Sequence, residues 1–390
     1  MLLLPKLLLA SVLGVVVSAG AVAATAPAPA AAAPANPSGF AIHRGTNLSH
    51  WLSQDFGWAP REEWTTENDI RYIASLGFDH VRLPVDEIVL WKEDGSPDEK
   101  AFGLLISALE WCRAAKLRVI VDLHSVRAHH FNAANEGMTK NTLWTDPAAQ
   151  AHFLDLWRQL SSRLVKYPND FLAYEIMNEP TADDFEDWNK LVARSMEFIR
   201  SVEPGRVVVI GANLWQIPQM LPKLKVPAGD KNIILSMHTY TPLLFTHHKA
   251  GWVPAPIRDY PGPVAYPGPI VDAATFAKLM AAYPKDQFNF LDNSTDNWGP
   301  ARFRVEFEPA IARAKELGLQ LYCGEFGCLP TVPRASRLAY YRDLVGVFEA
   351  NGIAWANWEY KGDFGIAEWH GLKSLDGAPD VQLIDVLFQR

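Results

Sequence analysis

A chain of 390 residues, 49% hydrophobic, 21% charged and 11% aromatic, can bury a large core, which excludes a disordered or fibrous protein. Its formal net charge of −8, with no long basic run, excludes a surface that tracks a phosphate backbone, so nucleic acid is not an expected partner. Three cysteines are too few for a disulfide framework, and no Cys/His spacing resembles a zinc site; neither a metal nor a cofactor is expected.

In chain order, Lys6 opens a weakly positive start, residues 7–17 form a short apolar run, and Ala21-Val22-Ala23 offers a small-residue cleavage site. That pattern predicts an export signal over residues 1–23, since a membrane span needs about 20 apolar residues. The mature protein is then secreted or periplasmic, with no stable membrane insertion. Residues 24–38 are an Ala/Pro tract that cannot pack a core and read as a linker, leaving residues 39–390 as one folded domain.

Within that domain one pattern repeats. Strands are predicted at 40–44, 79–84, 118–124, 171–178, 206–211, 232–240, 320–325 and 353–358, with amphipathic helices between them at 66–76, 102–116, 147–166, 185–202, 301–317 and 336–350. Alternating strands and helices imply a parallel sheet. No Gly-rich turn follows the first strand, so a doubly wound dinucleotide-binding sheet is set aside in favour of a closed (β/α)8 TIM barrel. Nearly every strand ends in a polar side chain: Arg82, His124, Asn178 with Glu179, His238 with Tyr240, Glu325, and Trp358. A barrel gathers those ends on one face.

Glu179 and Glu325 each close an apolar strand that would otherwise be wholly buried. Cleavage of a glycoside needs one carboxylic acid to protonate the leaving oxygen and a second carboxylate to attack the anomeric carbon or activate water. The chain resembles glycoside hydrolase family 5, the cellulase family, from about residue 40 to about residue 360. Asn178-Glu179-Pro180 is similar to that family's acid/base motif, and Gly324-Glu325-Phe326-Gly327 to its nucleophile motif. Val81-Arg82-Leu83-Pro84, His124, the His238/Tyr240 pair and Trp358 match the second-, third-, sixth- and eighth-strand signatures. The resemblance implies a retaining β-glycanase, with Arg82 supporting the nucleophile and Trp358 beneath the sugar being cleaved.

In physical terms Arg82 and Tyr240 should hold the Glu325 pKa low, whereas Glu179 should be raised by the neighbouring charge. Asn178 is placed to bond a sugar 2-hydroxyl, provided the strand breaks so that it and Glu179 converge. His124 and His238 are either sugar contacts or structural histidines. Trp51, in a segment (residues 43–51) that resembles the family's first strand, either faces the cleft or fills the core; Trp144 and Trp252 are further candidate sugar platforms. The segment between Tyr240 and Ala301 is too long for a simple connection and predicts a folded lobe beside the cleft, with Trp252 within reach of a bound sugar.

The expected partner is a β-linked polysaccharide: β-1,4-glucan first, with mannan, β-1,3-glucan or an exopolysaccharide behind it. A non-catalytic glycan-binding barrel would keep the tryptophans and lose a carboxylate, but both are present. A metal-dependent barrel hydrolase would need a His-x-His pair at the first strand, and His43 has no such partner.

Overall fold

The structure is a computed structural model that describes residues 34–131, 141–282, 293–367 and 379–390. The predicted signal lies outside the described residues. Among those described, no helix is long and apolar enough to cross a membrane. Eight strands, β1 (Arg44–Asn47), β2 (His80–Asp86), β3 (Arg118–Ser125), β4 (Leu172–Glu175), β5 (Val207–Gly211), β6 (Ile233–Thr239), β7 (Gln320–Phe326) and β8 (Ala354–Asn357), pair in parallel in sequence order. β8 returns to β1 through Arg44 with Trp355, Gly45 with Ala356 and Thr46 with Asn357, closing the (β/α)8 barrel.

The predicted helices form at Glu67–Leu76, Glu99–Ala114, Pro147–Leu164, Phe185–Val202, Pro300–Leu317 and Arg334–Ala350, and Val381–Leu387 follows β8. Local chemistry starts them. Thr66 and Asp69 form a capping box, and Asp98, Asp146 and Asp184 accept first-turn N–H groups. Only a 3-10 segment, Pro218–Lys223, joins β5 to β6, and its two prolines lack the N–H groups that an α-helix ladder requires.

Side chains alternate along each strand, so inward positions can be followed up the barrel. On β3 the inward series runs from Ile120 to Asp122 and His124, on β4 from Ala173 to Glu175. The lower barrel is filled by Ile120, Ala173, Val207, Val209, Ile234, Tyr322, Ala354 and Ala356. Outward residues such as Val119, Val121 and Leu123 pack under the helices in the larger core.

Phe40 and Ile42 differ from expectation. They belong to the inner cluster, and β1 begins only at Arg44. Their apolar alternation fits a strand, but it plugs the lower mouth of the barrel. Asn36 bonds both backbone groups of Phe40, and Ser38 Oγ donates to the Gly205 carbonyl at 2.5 Å, fastening the plug. Cys112, Cys323 and Cys328 are all buried free thiols, so Cys323 and Cys328 do not pair.

The described residues between β6 and the Pro300–Leu317 helix form a folded lobe. It carries helices at Leu243–Thr246, Ala255–Arg258 and Ala273–Ala282, and a bridge joins Gly268 to Trp298. Tyr266 packs against Phe303 and Tyr340 at ring separations of 6.1 and 5.7 Å, so the lobe is continuous with the helical layer. Excising it whole would strip the outer core.

Candidate active site

Arg82, fully buried within β2, is the hub of the upper barrel. Its Nε donates to Glu175 Oε2 at 2.6 Å and its Nη1 to Glu325 Oε1 at 2.6 Å. Nη2 reaches Asn178 Oδ1 at 2.8 Å and Asp122 Oδ2 at 2.9 Å, and Nη1 also meets Asn47 Oδ1 at 3.1 Å. One guanidinium thus ties together β1, β2, β3, β7 and the segment from β4 to Asn178, a use of its planar fork that a lysine could not copy.

A single cation cannot ionise three buried carboxyls with equal ease. Burial pushes Asp122 and Glu175 each up to about 7 against the pull of Arg82. Neither residue stood out in the sequence. For Asp122 a signal existed: it lies two residues before His124 on the same strand, hence on the same inward face.

β4 stops at Glu175, short of the predicted 178, and the chain leaves its ladder. The Asn178 N–H bonds the Leu123 carbonyl at 3.1 Å, and Glu179 takes a left-handed φ of +42°. This break brings the Asn178 and Glu179 side chains into the same site, where regular pleating would part them. Glu179 Oε1 lies 2.9 Å from His238 Nδ1, which is 3.8 Å from Glu325 Oε2. Tyr240 donates its hydroxyl to Glu325 Oε2 at 2.9 Å. One oxygen of each glutamate and a ring nitrogen of His238 lie within 4.8 Å of one another. Among the described residues this trio is also the one group of His, Cys, Asp or Glu side chains close enough to hold a metal ion. Its donor atoms are already engaged with one another and with Arg82 and Tyr240.

The two carboxyls differ electrostatically. Burial, with the Glu325 charge added, pushes Glu179 well above the usual carboxylate range. Glu325 is also raised, because burial outweighs the opposing pull of Arg82, His124 and the Tyr240 hydroxyl. The expectation that Arg82 and Tyr240 would hold Glu325 low is therefore corrected: the cation is present, but it is shared with Asp122 and Glu175. What survives is the order, with Glu179 the more readily protonated. His238 is pushed well below its ordinary value by burial and by Arg82, so it is a neutral ring with Nδ1 facing both carboxyl groups.

His124 Nδ1 donates to Asp122 Oδ2 at 2.7 Å, and its ring stacks on Trp358 at 5.6 Å and 9°. Burial lowers it to about 4, so at neutral pH it is a neutral ring, and its Nε2 lies 3.4 Å from the Gln54 amide nitrogen. His50, unmarked in the sequence reading, lines the cleft with Nδ1 3.1 Å from the Gln54 carbonyl and Nε2 3.1 Å from Glu359. Both partners can accept from the ring; burial opposes a charge there, but Glu359 outweighs it and raises the pKa.

The cleft above these groups, about 1300 Å³, is walled by His50 and Phe56 after β1, Phe131 after β3, Trp215 after β5, Trp252 of the lobe, and Trp358 with Phe364 after β8. Trp358 and Trp252 are therefore at the site. Trp51 and Trp144 are not. Trp51 is fully buried, donates to the Arg61 carbonyl at 2.7 Å and stacks on Trp111. Trp144 is buried edge-on to His129 and Trp188, its N–H bonded to Asn141 Oδ1 at 2.7 Å. Both rings are buried and both N–H groups are bonded within the protein, so neither ring presents a face to the cleft.

A closed parallel barrel whose strand ends converge on two buried, hydrogen-bonded carboxyl groups under a long aromatic-lined cleft defines an enzyme of the barrel glycoside hydrolase class. The chain belongs to the cellulase family, glycosyl hydrolase family 5, which matches residues 31–363. It is 32% identical over 321 residues to Endoglucanase C of Acetivibrio thermocellus, covering 81% of this chain and 90% of that one. It is 29% identical to Cellodextrinase A of Ruminococcus flavefaciens, covering 80% and 84%. The fold superposes on Thermotoga maritima Cel5A in complex with mannotriose with a TM-score of 0.67 at 23% identity, covering 90% of this chain and 98% of that one. The protein is an endoglucanase-like glycoside hydrolase.

Proposed function

We propose that the protein is a retaining endo-β-1,4-glucanase in which Glu325 attacks the anomeric carbon and Glu179 serves as acid and then base. The approach of the two carboxyl groups, with oxygens within 4.8 Å, carries this reading. A retaining pair stands about 5–5.5 Å apart, whereas an inverting pair needs roughly 6.5–9.5 Å to admit water. Asn178, held by Arg82, is aimed at the sugar 2-hydroxyl; Trp358 is the platform under the scissile ring; and Trp252 stacks on a more distant sugar.

The charge of the cleft supports a neutral glycan. Its described lining includes Glu179, Glu306, Glu325 and Asp363 and no lysine or arginine, so a uronate-bearing exopolysaccharide would meet repulsion. The relatives named endoglucanase and cellodextrinase support a glucan ahead of mannan, and we read its linkage as β-1,4. NMR of a β-glucan digest should show the β-anomer first, and an α-anomer appearing first would overturn retention. In a reducing-sugar panel, β-1,4-glucan should be cut fastest. Trp252→Ala should lower kcat/KM on the polymer about tenfold, the equivalent of one lost stacking contact, while sparing a short aryl glycoside.

The reading includes export, with residues 1–23 as signal and 24–38 as linker, supported by Lys6, the apolar run and Ala21-Val22-Ala23. The intact mass of the mature protein tests it; a chain retaining residue 1 would count against it.

A further inference from the structure

The loop after β5 adopts a conformation that its residue types do not favour. Leu214, Trp215 and Gln216 have φ of 62°, 55° and 56°, three successive left-handed residues, none of them glycine. Such a run persists only where surrounding contacts over-determine it, and those strained runs gather at functional sites. Here the contacts converge on the segment that carries Glu179. Asn213 exchanges two hydrogen bonds with the backbone of Ala182, at 2.7 and 2.8 Å. The Trp215 N–H bonds the Pro180 carbonyl at 3.3 Å.

Gln216 completes the clamp from a fully buried position. Its Oε1 accepts the Glu179 backbone N–H at 2.8 Å, and its Nε2 donates to Glu175 Oε1 at 3.1 Å. Its carbonyl accepts the N–H of His238 at 2.9 Å, the residue whose ring meets the Glu179 carboxyl. Glu175 in turn pairs with Arg82, and Arg82 with Glu325. The two side-chain contacts ask for an amide. A carboxylate would set a second charge against Glu175, and an aliphatic side chain would leave a buried N–H and a buried carboxyl oxygen unpaired. Gly211 leaves the space: a Cβ there would lie 2.1 Å from Gln216 Nε2.

We propose that Gln216 is a positioning residue for the proton-transfer step: its amide fixes the backbone of Glu179 and ties it, through Glu175 and Arg82, to the carboxyl group it must face. The proposal rests on the reading of Glu179 as acid/base. Proton donation matters most where the leaving group is poor, so a misplaced acid has a signature that a loosened fold lacks.

The test is kcat/KM on a series of aryl β-cellobiosides from phenyl to dinitrophenyl, for Gln216→Leu, Gln216→Glu, Gly211→Ala and Glu179→Ala. Gln216→Leu should lose about 10- to 100-fold on the phenyl substrate and less than about threefold on the dinitrophenyl one. Gly211→Ala, which displaces the amide from behind, should show the same steepened dependence and keeps the test alive if Gln216→Leu folds poorly. Gln216→Glu should approach the parent at acid pH, where a neutral carboxyl can both accept and donate, and fall away as pH rises. Equal losses across the series, or none, would overturn the proposal. If Glu179→Ala is leaving-group dependent and the Gln216 variants are not, only the positioning role fails. If Glu179→Ala is also independent of the leaving group, the acid/base reading fails and takes the positioning role with it.

Discussion

Replacing Glu325 with glutamine should bring turnover to background on every substrate, dinitrophenyl glycosides included. An amide cannot form the glycosyl ester, so no substrate bypasses the loss; a fall of about 10⁵ corresponds to about 7 kcal/mol of barrier. Glutamine keeps the side-chain volume and can still bond Arg82 and Tyr240, so the fold should hold. Loss of the Glu325 charge also removes one of the influences that raise Glu179, whose titration should move downward. Carbon-13 NMR of the labelled Glu179 carboxyl reads that shift. The parent's kcat/KM should be bell-shaped, the acid limb reporting Glu325 ionisation and the basic limb Glu179 deprotonation. Because burial raises both groups, the bell should sit above the ordinary carboxylate range. Restoration of activity by azide in Glu325→Gln, and not in Glu179→Ala, would exchange the two roles.

The second large effect is expected on stability. Arg82→Met leaves Asp122, Glu175 and Glu325 buried without their cation, and breaking such a cluster costs about 3–5 kcal/mol. Arg82→Lys should recover little, since one ammonium cannot reach four partners on separate strands. The pH dependence has a definite sign. Asp122 and Glu175 have folded pKa values raised to about 7, so the folded state binds more protons than the unfolded one. Their contribution is most favourable below the unfolded value of about 4 and is lost as pH rises through about 7. Without Arg82 those values rise further, so the Tm deficit of Arg82→Met should be smallest in acid and widen toward neutrality. Thermal melts between pH 4 and pH 8 check this; a deficit that grows in acid would contradict the role given to Arg82.

The polar strand ends were legible in the sequence because each interrupts an apolar run, and the barrel then had to bring Arg82, His124, Glu179, His238, Tyr240, Glu325 and Trp358 to one face. What escaped was decided by tertiary context. Phe40 and Ile42 alternate as a strand does, and only the identity of their neighbours shows them to be a plug. Trp51 and Trp144 have the chemistry of sugar platforms, but tertiary packing buries both rings. The cation beside Glu325 could be read from Arg82, while the two further carboxyls competing for it could not. Gln216 carried no signal, since a left-handed loop of ordinary residues is imposed by what it touches.

The three sealed thiols have a practical meaning. With no cystine to form, the folded state has no reduction potential of its own, and the chain should reach the same product in a reducing cytosol as in an oxidising medium. Burial also pushes all three thiols upward, away from the reactive thiolate, so alkylation waits for the protein to open. Cys323 stands on the strand that bears Glu325 and Cys112 on an outer helix, so the chain carries its own labels for recording when barrel and shell come apart.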